Sequence, residues 1–464
     1  MTARTKRQAL SVTAGGRPER DLTTGSLGRL LAVLSWPGTA ESLLFNMTGL
    51  SHAFWLGQLY SNALSAVVLG TTLRIVLISP MMGLSAGGMA VVARHIGAKE
   101  QDPADRAVMQ TFLLVVLFCL PLTILGLTMG GTFLRWMGAS GQVLADAQAF
   151  LTIVFSGLLF MELLPTMNGV IKGAGHPEYT LRISAIQIIA QLALEPLLVF
   201  GVGPLPAMGV RGSALAAVLA STMGVAMQMV TLLRGSAGVR LRWEHVRPDL
   251  VMLRRIMRIA VPTSAQRFSP NMAEALLLRL VSSFGDEVLG AYSLITRLIG
   301  VLRAVAMGIG TAAATMVGQN LGAGKPARSE RAALLGAASA MVLSLALFGV
   351  LSILARPILG TLEKSEAVLG VAVSITYYLI LSGSGQAWLT VMSGVLASAG
   401  DAVAAMSVNI GALWLVQLPL GWALAHPLGM GPTGIWLGLG ISALLGAAAI
   451  TWRFRTGRWK LGRV

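Results

Sequence analysis

An internal repeat at an offset of 225 residues constrains this chain more than any other feature. Gly83-Leu84-Ser85-Ala86-Gly87 leads on to Gly97-Ala98-Lys99, and 225 residues later Gly308-Ile309-Gly310-Thr311-Ala312 leads on to Gly322-Ala323-Gly324. The same 225-residue offset carries Pro37 onto Pro262, Arg106-Ala107 onto Arg331-Ala332, and Gly169-Val170 with Gly175 onto Gly394-Val395 with Gly400. A register held over most of the length means a duplicated unit. In a membrane chain, duplication points to a protein built from two lobes.

The membrane assignment rests on composition and run length. Hydrophobic residues are 55% of the 464 positions, charged residues 12%, and the mean hydropathy is +0.74. The apolar runs approach the ~20 residues that a spanning helix needs, and are too continuous for barrel strands. Twelve spans are expected, six per repeat. An even number brings the second repeat in from the same side as the first. The expected fold is therefore an all-α polytopic membrane protein with two six-helix lobes, related by a pseudo-twofold axis along the membrane normal. The expected organisation is a basic N-terminal segment 1–27, an N-lobe 28–235, a linker 236–250, a C-lobe 251–455 and a basic tail 456–464.

Basic residues set the orientation. With both termini cytoplasmic, the inside segments hold 26 Lys and Arg residues, and the outside loops hold four: Arg135, Arg211, Arg356 and Lys364. Such asymmetry is the positive-inside pattern. The net charge of +16 is read as topology and anionic-lipid attraction, with no nucleic-acid partner. The N-terminal segment lacks a cleavable signal pattern, so the first span is expected to act as an uncleaved anchor. Cys119 is the sole cysteine, which excludes an intrachain disulfide. The longest loop, 234–258, reads as a basic linker with an amphipathic stretch on the membrane surface. Short loops leave no room for a soluble catalytic domain, and no phosphate loop or metal-binding motif appears. The 23 methionines are scattered and read as packing.

Charges inside spans narrow the site, because a mid-bilayer charge costs ~2.5–3.5 kcal/mol on insertion scales and so faces protein or water. These charges are Glu41, His52, Arg74, Glu162, Glu195, Arg267, Glu274, Arg279, Arg297 and Arg303. Glu41, Phe45, Thr48 and His52 share one helix face, and Ser184, Gln187, Gln191 and Glu195 form a second polar stripe. Pro196 follows Glu195 and frees a carbonyl one turn earlier. Gln266 is the repeat equivalent of Glu41, and Arg267, Asn271 and Glu274 share a face that suggests a charge network in the second lobe. Glu41, Gln187, Gln266, Arg267 and Glu274 are candidate gate or cavity residues, with hydrogen-bonded packing an open alternative for Glu41. Arginine–acid pairing across helices is expected.

Several motifs together resemble the multidrug and toxic compound extrusion (MATE) family of bacterial transporters. Val317-Gly318-Gln319-Asn320-Leu321-Gly322-Ala323-Gly324 is similar to the segment after the family's eighth helix, and Val92-Ala93-Arg94-His95-Ile96-Gly97-Ala98 is its first-lobe counterpart. Pro37 and Pro262, Gly173-Ala174-Gly175 and Ser398-Ala399-Gly400 also match, as do the loops Pro204–Val210 and Gly431–Trp436. The resemblance runs from about residue 28 to 455. It implies a monomeric antiporter of the bacterial inner membrane, without cofactor or enzymatic activity. Such a protein exports cationic or amphipathic organic compounds against inward H⁺ or Na⁺. Members commonly carry an aspartate fifteen residues after the helix-one proline, where this chain has His52. They often carry an acid followed by proline in helix five, with an amide one turn earlier, matched by Glu195-Pro196 and Gln191. The resemblance thus makes Glu195, His52 and Gln191 the cation-coupling set. Histidine for aspartate removes a hard oxygen ligand and disfavours sodium, whereas histidine titrates near ~6.5 when unperturbed, which suits a proton. Five intramembrane arginines keep open a flippase for lipid-linked saccharides, although twelve spans argue against it. Loss of the helix-one aspartate leaves a transport-inactive sensor or scaffold as a third reading.

Overall fold

The computed structural model describes residues 11–12, 18–19, 21–59, 62–203 and 206–461. Pro204, Leu205, most of the basic N-terminal segment and the side chain of Arg297 lie outside the described residues. Among the described residues the regular structure is helical apart from a two-residue antiparallel pairing of Ser11–Val12 with Pro18–Glu19. In chain order the helices of the first repeat are α1 (Leu27–Leu56), α2 (Ala63–Ile78), α3 (Leu84–Gly97), α4 (Gln101–Trp136), α5 (Gly141–Ser156), α6 (Leu158–Gly173), α7 (Pro177–Phe200) and α8 (Val210–Arg234). Those of the second are α9 (Leu250–Ser282), α10 (Asp286–Gly322), α11 (Pro326–Ile353), α12 (Ala355–Leu359), α13 (Glu366–Ser398), α14 (Ala402–Gly411), α15 (Leu418–Ala425) and α16 (Pro432–Arg455).

Among the described residues, nine helical runs are long and apolar enough to cross a bilayer, counting α2–α3 as one run and α14–α15 as another. Helices α5 and α6 make a further span bent by 56°, where Gly157 interrupts the ladder. Helices α1 and α9, with 30 and 33 residues, are also long enough, and complete the expected twelve. Helix α9 is the least apolar because it carries Arg254, Arg255, Arg258, Arg267, Glu274 and Arg279.

The chain forms two compact units, and neither is a continuous stretch. Unit 1 comprises Met1–Asp21 and Leu43–Ser264; unit 2 comprises Leu22–Ser42 and Ala265–Val464. Unit 1 therefore holds the leading half of α9, and unit 2 the leading half of α1. Two repeat glycines make this packing possible. A side chain on Gly83 would collide with the Ala260 carbonyl of α9, and the Gly83 N–H donates to Ser264 Oγ at 2.8 Å. In unit 2, a side chain on Gly308 would collide with the Thr39 backbone of α1. Ser264 and Thr39 are themselves related by the 225-residue offset. Helix association in a membrane depends on such close backbone approach, since lipid is as apolar as the side chains.

Polar groups fasten the segments that precede these two helix halves. In unit 1 the stretch before α9, read from sequence as a basic linker with an amphipathic stretch, is held by side chains. It docks on the start of α4. Gln110 Nε2 donates to the carbonyls of His245 (2.8 Å) and Arg247 (3.0 Å), and Gln110 Oε1 accepts from Asp249 N–H at 3.0 Å. Buried Asp105 accepts from Arg240 N–H at 2.7 Å and pairs with Arg242 at 3.1 Å. In unit 2, Asn320 donates to the Leu22 carbonyl at 3.2 Å, and Arg328 to those of Thr24 and Gly25 at 2.8 and 2.9 Å. Leu22, Leu31 and Leu34 are buried in the same core as Met316, Val317 and Val395.

Candidate functional site

The helical period of α7 places Ser184, Gln187, Gln191 and Glu195 on one stripe, and all four are buried. Glu195 is fully enclosed. A bare carboxylate there would be costly, so its oxygens need donors. Three residues supply them. Ser51 Oγ donates to Glu195 Oε2 at 2.7 Å, Ser213 Oγ donates to Oε1 at 2.9 Å, and His52 Nδ1 lies 2.5 Å from Oε1. The distal part of α1 provides Ser51 and His52, and the first turn of α8 provides Ser213.

The amides extend this network one way. Gln187 Nε2 donates to Gln191 Oε1 at 3.1 Å, and Gln191 Nε2 faces His52 Nε2 at 3.2 Å. An amide N–H donating to Nε2 requires a lone pair there, which puts the imidazole proton on Nδ1, facing the carboxylate. The Glu195 carboxylate and the Gln191 amide thus engage the two ring nitrogens of His52. Exposure separates the partners: the His52 side chain is 24% exposed and that of Glu195 is 0% exposed. His52 is the accessible side of the pair.

The structure therefore brings His52, Gln187, Gln191 and Glu195 together in unit 1. Sequence reasoning missed Ser51 and Ser213. Ser51 was signalled only by adjacency to His52, and nothing in the chain marks Ser213. Within the spans of this unit, Arg74 of α2 pairs with Glu162 of α6 at 3.4 Å, across helices as expected. No group of three or more His, Cys, Asp or Glu side chains suited to a metal occurs among the described residues.

The remaining site residues lie in unit 2 and do not converge. Glu41 is half-buried in α1, and Gln266 is half-buried in α9. Arg267, Asn271 and Glu274 line up along α9 with exposed side chains, but the charges do not form a network. Glu274 accepts from Tyr292 Oη at 3.1 Å, and Tyr292 stacks on Trp436 with ring centroids 5.5 Å apart. Two residues past Arg267, on a buried side of α9, Ser269 Oγ accepts from Trp414 Nε1 at 2.7 Å. Trp414 lies in a π-helical segment, Ala412–Gln417, between α14 and α15. Such segments are uncommon and often occur at functional sites. Sequence periodicity gave no sign of it.

Comparison with known proteins agrees with this architecture. The MatE family model matches residues 37–197 and again 262–423, one match per repeat. A probable multidrug resistance protein, NorM, of Bradyrhizobium diazoefficiens is 28% identical, over 86% of this chain and 87% of its own length. An FAD transporter of Shewanella oneidensis is 24% identical, over 91% and 93%. A multidrug resistance MATE transporter of the MOP superfamily, solved in an outward-facing conformation, superposes with a TM-score of 0.88 at 21% identity, covering 95% of this chain and 98% of that one. The Vibrio cholerae MATE transporter VcmN gives 0.87 at 18% identity, covering 95% and 100%. With the family model matched twice at the repeat spacing, the chain belongs to the MatE family of multidrug-type membrane transporters.

Proposed function

We propose that this transporter exports cationic or amphipathic organic compounds in exchange for protons, with Glu195 and His52 carrying the exchanged proton. The observation that carries this reading is the enclosure of Glu195 behind a more accessible histidine. A proton reaching the carboxylate from water passes through the imidazole: it adds at Nε2 while the Nδ1 proton moves to Glu195. Protonation at Nε2 ends the hydrogen bond accepted from Gln191, so Gln191 has to turn its amide, and Gln187 then loses its acceptor. Proton arrival is in this way tied to a rearrangement along α7. Both carboxylate oxygens already accept hydrogen bonds, and an imidazole occupies the place where a further oxygen would serve Na⁺ better.

The relatives' names, for multidrug resistance and for FAD transport, support an organic substrate. The split of basic residues supports a bacterial inner-membrane protein with both termini cytoplasmic. Efflux of a fluorescent organic cation from proteoliposomes under an imposed proton or sodium gradient tests the reading. Proton-driven efflux in the wild type and its loss in Glu195→Gln are expected. Undiminished proton-driven efflux in Glu195→Gln would overturn it. Orientation is tested by thiol labelling of single-cysteine variants in a Cys119→Ala background, where residue 245 is expected to label from the inside.

A further inference from the structure

Arg267 is the one charged side chain of the candidate set that the proposed proton path leaves without a role and the structure leaves without a partner. It makes no hydrogen bond or ion pair with a described residue. It lies 9 residues past Arg258, the last of the basic run that leads into the span, and 15 from the end of α9, about 13 and 22 Å along the axis, which places it within the apolar layer. An unpaired guanidinium at that depth is among the costliest groups a span can carry, so it must face water or a ligand. Its side chain is exposed, so the guanidinium is open to a ligand.

Its neighbours explain why it stays free. Glu274, two turns along the same face, is held by Tyr292. Ser269, two residues on, is buried on another side of the helix, where Trp414 of the π-helical segment engages it. Asn271, one turn away, is exposed and likewise unpartnered among the described residues. The face thus presents a planar five-donor cation and an amide one turn apart, with the nearby acid already occupied. That is a receptor for an oxyanion, which a guanidinium grips through two parallel N–H donors.

We infer that Arg267, with Asn271 beside it, selects transported compounds that carry a carboxylate or phosphate group. This rests on the exporter reading above and extends it from purely cationic substrates to zwitterionic and anionic ones. A lipid phosphate is disfavoured as the occupant by the depth of Arg267 along α9.

Rhodamine 110 and rhodamine 123 make a matched pair of probes, since they share the same cationic ring system and differ only by a free carboxylate against its methyl ester. Fluorescence anisotropy on the purified full-length protein gives a Kd for each. The wild type should favour the carboxylate dye, and Arg267→Ala should reduce the affinity ratio about tenfold, the scale of one charge-assisted contact. Arg267→Lys should recover part of the ratio, because it restores the charge without the fork. Equal affinity of the wild type for the two dyes, or a ratio changed less than twofold in Arg267→Ala, would overturn the assignment. Proton-gradient efflux of the same dyes is read separately. Loss of efflux with the binding ratio intact would count against the proton-coupling reading and leave the Arg267 assignment standing.

Discussion

Unit 1 and unit 2 descend from one repeat, yet they treat charge in opposite ways. Unit 1 encloses Glu195, satisfies both its oxygens and leaves only His52 of the pair partly exposed. Unit 2 displays Arg267, Asn271 and Glu274 along an exposed stretch of α9 and pairs only the acid. The positions 225 residues after His52 and Glu195 are Leu277 and Leu420, so the second repeat has no copy of the enclosed site. A small enclosed site suits one proton, which needs donors and no volume. An open face suits a bulky organic compound. Duplication supplied two equivalent bundles, and divergence left each with different chemistry.

The sharpest way to break this comparison is to neutralise one acid in each unit. Glu195→Gln is expected to lower gradient-driven efflux by about 100-fold or more, because no proton-exchanging group remains behind His52. Glu274→Gln should change coupled efflux less than about threefold, since amide and Tyr292 can still hydrogen-bond. Parallel proteoliposome assays, with membrane insertion checked on blots, decide it; equal losses would erase the distinction between the units.

Stability gives a finer test. Ser213→Ala removes a donor from an enclosed carboxylate and should cost about 1.5–3 kcal/mol, whereas Ser269→Ala, which removes a neutral acceptor from Trp414 Nε1, should cost about 0.5–1.5 kcal/mol. Thermal unfolding of the detergent-purified variants would show the Ser213 change as the larger drop in Tm. The reverse order would mean that the unit 1 network is not fully formed.

The two repeat glycines test what the units still share. Gly83→Val and Gly308→Val each drive a side chain into an opposing backbone, and each should cost about 1–3 kcal/mol. Matching losses are expected in the same unfolding measurement; a loss at one position only would show that the two packings are not equivalent.

The smallest effect is expected at Asp249, which caps the start of α9 in unit 1. Its carboxylate is held below the usual range chiefly by accepting the Met252 N–H, with Arg106 and the Val251 N–H adding to this against a modest opposing effect of burial. A lowered folded-state value means stability that is present above the unfolded value of ~3.9 and lost as pH falls through the folded one. Asp249→Ala should therefore cost about 1 kcal/mol or less at pH 7, and the difference should vanish on acidification well below pH ~4. A pH series of unfolding midpoints for the two proteins checks it.

Much of this was legible in the sequence because helices and duplications leave periodic traces. The stripe from Ser184 to Glu195 followed from helical spacing, and the repeat followed from glycine and proline register. Chance adjacency hid the rest. Ser51 and Ser213 complete the Glu195 site through contacts 144 and 18 residues away in sequence, and a serine carries no periodic signal of what it bonds. Arg267 and Glu274 share a face as read, but a tyrosine on the next helix takes the acid, and only side-chain positions reveal that. The break at Gly157 and the π-helical turn at Ala412–Gln417 are local departures of the backbone inside runs that read as continuous helix.

The placement of Leu22–Ser42 in one unit and Leu250–Ser264 in the other bears on how the protein is made. A chain emerges from its N-terminus, so Leu22–Ser42 is synthesised first and yet belongs to a unit whose last helix ends at Arg455. Its partners at Gly308 and at the turn Asn320–Arg328 follow it out some 280 residues later. Unit 1, in turn, is not complete when α8 is finished, because Gly83 waits for the leading half of α9. The two units close in an interleaved order, and neither repeat expressed alone carries all the helix its own unit requires.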